Sequence, residues 1–211
     1  MNLIKRPFRY RNENIVFVLI GLNLLVYLGE LFLKNFPVVG LLSMMPLAII
    51  RGGWIWQFVT YMFVHDPRSI SHLLFNMFAL FIFGRHVEYH MGSREFLLYY
   101  LITGILAGFF SFLVYLFTGN LWIRLMGASG AIFAVQLAYA ALFPNSIVYI
   151  WGLLPLRAPV MVLGFTALEV IFMFTGFGGN VAHFTYMAGF AFGWLYFVVR
   201  FGINPWRAMR R

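Results

Sequence analysis

The sequence predicts an all-α polytopic membrane protein, a six-helix bundle with both termini in the cytoplasm. Three observations carry that prediction. The chain is 63% hydrophobic and only 10% charged, where a soluble domain is nearer half apolar and a quarter charged. Six apolar stretches are long enough, or nearly so, to cross about 30 Å of hydrocarbon as helices. The basic residues are distributed unevenly between the segments that separate those stretches.

The stretches cover 15–33, 71–89, 95–117, 128–143, 159–176 and 181–201. Each must be helical, because unpaired backbone groups are not tolerated in lipid. The first follows Lys5, Arg6, Arg9 and Arg11. It is too long for a signal-peptide core, and no small-residue cleavage site follows in LKNFP, so it reads as a retained helix. The fourth is short and starts at GASG, which places its beginning below the membrane surface, at the floor of a cavity.

An even number of spans puts both ends on one side. That side holds Lys5, Arg6, Arg9, Arg11, Arg85, Arg94, Arg157, Arg200, Arg207, Arg210 and Arg211, against Lys34, Arg51, Arg68 and Arg124 on the other. The excess marks the cytoplasmic face. The net charge of +9 is then a topology signal, and nucleic acid is not expected as a partner. The expected organisation is a cytoplasmic tail (1–14), a membrane domain (15–201) and a second tail (202–211). The aromatic-rich segment 34–70 is expected to lie in the headgroup region outside. With no cysteine, disulfides and thiolate metal sites are excluded. No metal and no cofactor are expected. A transporter is disfavoured, since there is no inverted repeat and no series of ionisable residues along several spans.

Three polar groupings interrupt the apolar pattern. GASG (127–130) sets Ser129 at a helix start between Gly127 and Gly130; helix-start N–H groups favour developing negative charge. The competing reading is close packing of small residues. HLLFN (72–76) puts His72 and Asn76 on one helix face, suited either to donating hydrogen bonds or to an interhelical polar contact. NVAHFTYMAGFAFGW (180–194) carries His183, then Gly189 and Gly193 at a spacing that lets helices approach closely. A serine and a histidine on abutting helices would form a nucleophile–base pair. Glu169, within the fifth stretch, is expected to make a structural hydrogen bond inside the bundle. His65, His86 and His90 read as interface or loop residues.

These motifs, in this order, resemble the rhomboid intramembrane serine proteases. The likeness runs through WQFVTYMFVHDPRSISHLLFNMFALFIFGRHVEYHMGSREFLLYYLITG (56–104), MGASGAIFAV (126–135), LFPNS (142–146) and the 180–194 segment. The resemblance implies Ser129 as nucleophile, with His72, Asn76 and the N–H groups of Ser129 and Ala128 holding the oxyanion. It implies lipid-embedded, transmembrane-protein substrates or clients and a multi-pass location, expected in a prokaryotic plasma membrane. Two positions depart from the pattern. Gln57 follows Trp56 where many members have arginine. More important, counting back from Gly189 and Gly193, the expected base position is Tyr186, and His183 is one turn away, about 4.5 Å along the helix and about 60° around it. Two expectations follow: a protease using His183 in an offset register, or a rhomboid fold that binds transmembrane clients without cutting them.

Overall fold

A computed structural model describes residues 8–33, 37–150, 152–175 and 180–210. Lys5, Arg6, Lys34 and Arg211, used in the charge reading, lie outside the described residues, as does the 1–7 part of the first tail. The chain is mostly helical: α1 (Ile15–Phe32), three short helices α2 (Val38–Leu42), α3 (Pro46–Gly52) and α4 (Gln57–Thr60), then α5 (Ile70–Ala79) continuing through a π-helical turn (Leu80–Gly84) into α6 (Arg85–Met91). There follow α7 (Ser93–Phe117), α8 (Ser129–Leu142), a hairpin of β1 (Ile147–Ile150) and β2 (Leu154–Arg157), α9 (Ala158–Thr175), α10 (Asn180–Tyr196) ending in a π-helical turn (Phe197–Phe201), and α11 (Pro205–Ala208).

Five of these helical runs are long and apolar enough to cross a membrane, among the described residues, and α8 is a shorter apolar helix. α8 forms the axis of the bundle. Nearly every residue from Gly130 to Ala141 is buried, whereas α1 and α9 turn most of their apolar side chains outward. That inversion of the soluble pattern is what lipid as the outer solvent requires.

Small residues fix how α8 meets α10. A Cβ at Gly189 would lie 1.9 Å from the Gly130 carbonyl oxygen, so the two backbones touch there. One turn on, Gly193 sits against Ala134 and the Tyr99 hydroxyl, which donates to the Ala134 carbonyl at 2.6 Å. On the other flank of α7, Gly104 and Gly108 receive Met62 and Tyr61. The Tyr61 hydroxyl donates to the Gly104 carbonyl at 2.6 Å.

The chain ends are tied down at one end of the bundle. Glu88 accepts from the first amides of α1, Ile15 N at 2.6 Å and Val16 N at 2.9 Å, and from the Ser93 hydroxyl. It thus caps a helix that lacks a side-chain cap of its own. Its polar network therefore joins α6 to α1 through backbone amides and to α7 through the Ser93 hydroxyl, while Arg85 stacks over Phe17 and Phe81. Glu95 receives Arg200 through Nε at 2.7 Å and Nη2 at 2.8 Å, together with the Tyr196 hydroxyl and the Phe8 amide. The segment before α1 and the end of α10 thus share one carboxylate.

Candidate active site

The polypeptide approaching α8 is held before it becomes helical. Leu125 pairs with Met44 in a two-residue antiparallel bridge, and the Gly127 amide donates to the Tyr61 carbonyl at 2.9 Å. Gly127 then takes φ +116, a region closed to residues with a Cβ. Space excludes a side chain as well: a Cβ there would lie 2.9 Å from His72 Nε2 and 3.6 Å from Ser129 Oγ. The glycine therefore leaves one small volume faced by both the imidazole and the hydroxyl. Ala128 is the buried cap residue and Ser129 the first helical residue, and no side chain caps this helix start. Its first amides remain available to an incoming negative charge.

On the far side of Ser129 stands α10. The Tyr186 phenol lies near the Ser129 side chain. The Tyr186 ring stacks on Phe133 with centroids 4.9 Å apart and planes 2° from parallel. Phe133 is one turn beyond Ser129 on α8, so α8 offers a flat platform with the Ser129 hydroxyl near its edge. Thr185 holds the same turn of α10 to α7 through Ser111 at 2.7 Å.

His183 is placed differently. It is buried, its Nδ1 donates to Glu169 Oε2 of α9 at 2.5 Å, and its ring stands edge-on to Tyr186 at 6.2 Å. Glu169 thus makes an interhelical hydrogen bond, and it reaches Tyr186 electrostatically. The structure brings together Ser129, His72, Ala128, Gly127 and Tyr186. It sets His183 behind Tyr186, against α9.

Asn76 lies on the His72 side, but both of its amide hydrogens are engaged: one with the His72 carbonyl at 3.0 Å, one with His65 Nε2 at 3.2 Å. The carbonyl can only accept, which fixes the amide orientation and requires His65 Nε2 to accept too. The sequence reading assigned His65 only an interface or loop role. It is fully buried, its ring lies 5.1 Å from that of His72, and its backbone amide donates to Glu30 of α1 at 3.3 Å. Burial, followed by the neighbouring His72, pushes the His65 imidazole down from 6.5 to about 4. The available signal was a histidine in the turn-rich run HDPRS, seven residues before His72.

A Rhomboid domain family model matches residues 52–203. The chain belongs to the rhomboid family. Among curated proteins it is similar to the putative rhomboid protease YdcA of Bacillus subtilis (strain 168), 33% identical over 104 residues, covering 48% of this chain and 49% of YdcA. It is also similar to the chloroplastic rhomboid-like protein 11 of Arabidopsis thaliana, 37% identical over 126 residues, covering 59% of this chain and 41% of that protein. The rhomboid protease GluP of Bacillus subtilis is 40% identical over 96 residues, 44% of this chain and 17% of GluP. The matches thus span about half the length of these relatives or less. This rhomboid is an integral membrane protein whose apolar helices surround a serine at the start of α8.

Proposed function

We propose that this rhomboid receives transmembrane segments of other membrane proteins at the Ser129 site, and that the site as written holds them without efficient cleavage. The observation that carries the reading is that a tyrosine, Tyr186, stacks on Phe133 one turn beyond Ser129, at the place where a base would be needed. A phenol, with an ordinary pKa near 10, does not take up a serine proton at neutral pH. A phenol beside Ser129 therefore generates no nucleophile. The remaining groups belong to acyl-transfer chemistry: Gly127 opens space between His72 and Ser129, and the uncapped amides of α8 offer an oxyanion site. The family and its protease members favour a client held in extended form across Ser129. Neither nucleic acid nor a cofactor enters this reading. The arginine excess at the end that carries Phe8 and Arg200 supports cytoplasmic termini, and a prokaryotic plasma membrane is the proposed location.

One observation favours a second reading. The 2.5 Å contact of Glu169 with His183 Nδ1 is the arrangement that orients a base in a Ser–His–acid triad. If α10 turns so that His183 meets Ser129, the chain is a serine endopeptidase acting within the bilayer.

Cleavage of a model transmembrane substrate in liposomes separates the two. The wild type is expected to cut weakly or not at all, to label poorly at Ser129 with a fluorophosphonate, and Tyr186→His is expected to raise cleavage at least about 100-fold, the lower range for an installed general base. Robust wild-type cleavage abolished by His183→Ala would replace the first reading with the second.

A further inference from the structure

The connection between α8 and α9 is an antiparallel hairpin whose register pairs Ile147 with Arg157, Val148 with Leu156, Tyr149 with Pro155 and Ile150 with Leu154. One face, Val148, Ile150 and Leu156, packs on the bundle core. The other face should be polar if it met water. It carries Ile147 and Tyr149, which are 57% and 61% exposed, and the turn adds Leu153 at 85%. Arg157 is the charged residue on that outward face.

The hairpin's depth follows from the helix before it. Fourteen residues of α8 rise about 21 Å, roughly 9 Å less than the hydrocarbon core. The shortfall is shared between the Ser129 end and the hairpin end, which draws the hairpin into the bilayer. Its end of the bundle is marked by contacts between His90 of α6 and Phe143 just after α8. The same end carries exposed Tyr10, Tyr89 and Trp206, the aromatic residues that settle at headgroup level.

Between the hairpin and α9 runs a cavity of about 380 Å³ lined by apolar residues, among them Ile150, Leu156, Val160, Gly164, Leu168 and Ile171. The α9 positions follow one helix face from Val160 to Ile171, about 16 Å of rise. Val160, Leu168 and Ile171 are also exposed outward, so the groove opens on the lipid-facing surface.

We propose that the β1–β2 hairpin is a lipid-binding element. Its outward face sits at the boundary of headgroups and acyl chains in the leaflet nearest the termini. The groove against α9 seats one acyl chain of a phospholipid, whose phosphate meets Arg157. The occupant is lipid because the groove continues the surface of a membrane-crossing helix, runs along its axis, and has an arginine at the headgroup end. This holds whether or not Ser129 cleaves.

The chain has no cysteine, so single labels can be placed cleanly. Leu153→Cys carrying NBD, in nanodiscs of phosphatidylcholine and phosphatidylglycerol, is expected to emit blue-shifted light and to be quenched several-fold more by shallow doxyl-phosphatidylcholine than the same label at Asn145→Cys. Equal quenching at both positions, with water-like emission, overturns the inserted hairpin. Disulfide cross-linking of Leu153→Cys between copies, without lipid quenching, does so too, in favour of a protein partner. For the groove, Gly164→Leu fills the space without a clash, since nothing lies within 4 Å of a Cβ there. Native mass spectrometry is expected to show that this variant retains one phospholipid fewer than the wild type at an unchanged unfolding temperature. Unchanged lipid retention overturns the acyl-chain site.

Discussion

The contact of α8 with α10 and the contact of α9 with the same bundle are built on opposite terms. At the first, Gly130 and Gly189 bring backbone against backbone, and Tyr99, Ala134 and Gly193 continue the seam. At the second, burial on α9 among the described residues is confined to its first turn, Ala158, Pro159, Met161 and Val162, and the hydrogen bond from His183 to Glu169 is a polar tie further along. In lipid there is no hydrophobic drive between helices, so van der Waals fit decides what is rigid. Ser129 and Tyr186 therefore belong to a rigid pair, and α9 is the flank that can separate from them.

The comparison breaks most visibly at Gly189. A leucine there must displace the Gly130 backbone, so Gly189→Leu is expected to lose on the order of 4 kcal/mol, the range reserved for severe core damage. Gly164→Leu on α9 is expected to be neutral or slightly stabilising, as a helical glycine is replaced by a better helix former in open space. Unfolding in mixed detergent and denaturant measures both. Equal losses at the two positions would erase the distinction between seam and flank.

A smaller effect comes from the other side of the serine. Neutral His65 accepts from Asn76, and its proton is bound only near pH 4 when folded, against 6.5 unfolded. The unfolded state therefore binds more protons between those values. The stabilisation is complete above pH 6.5 and is lost as pH falls toward 4, amounting to about 3 kcal/mol. Glu30, Asp66 and His72 face the same region, so the informative quantity is a difference: His65→Gln should flatten the stability profile between pH 6.5 and 4 relative to wild type. Parallel profiles would mean that His65 does not supply the slope.

How much of this was readable in the sequence varies with the range of the interaction. The helices coincide with the apolar stretches to within two residues, because lipid enforces long uninterrupted runs. The placing of Gly189 and Gly193 against α8 was accessible from their four-residue spacing. The hairpin was not: IVYIWGLLPLR is a short apolar run, and periodicity alone cannot tell a strand from a helix there. Neither was the Glu95–Arg200 pair, whose partners are 105 residues apart. His65 does lie in a loop, but its full burial was not foreseen, because the Glu30 of α1 and the Asn76 of α5 that meet it come from distant parts of the chain. Position 186 is the reverse case. The rhomboid resemblance singled it out by its distance from Gly189 and Gly193, and those glycines set the register in which α10 meets α8.

The gentlest test of the comparison is Glu169→Gln. The substitution keeps the size of the side chain and a hydrogen-bonding oxygen while removing the charge that His183 Nδ1 meets at 2.5 Å. Interhelical side-chain hydrogen bonds in membranes contribute about 0.6 kcal/mol on average, so global unfolding should move by less than about 1 kcal/mol. The population of states in which α9 stands away from α10 should still rise about 3-fold, the factor that corresponds to about 0.6 kcal/mol, because burial on α9 is confined to its first turn. Hydrogen exchange after α9's first turn, or thiol labelling of a cysteine introduced at Phe172, reads that opening directly. The α8 amides around Gly130 should exchange as slowly as in the wild type. Faster exchange at α8 together with α9 would mean that the tie supports the whole bundle, and the rigid pair and its movable flank would be one unit.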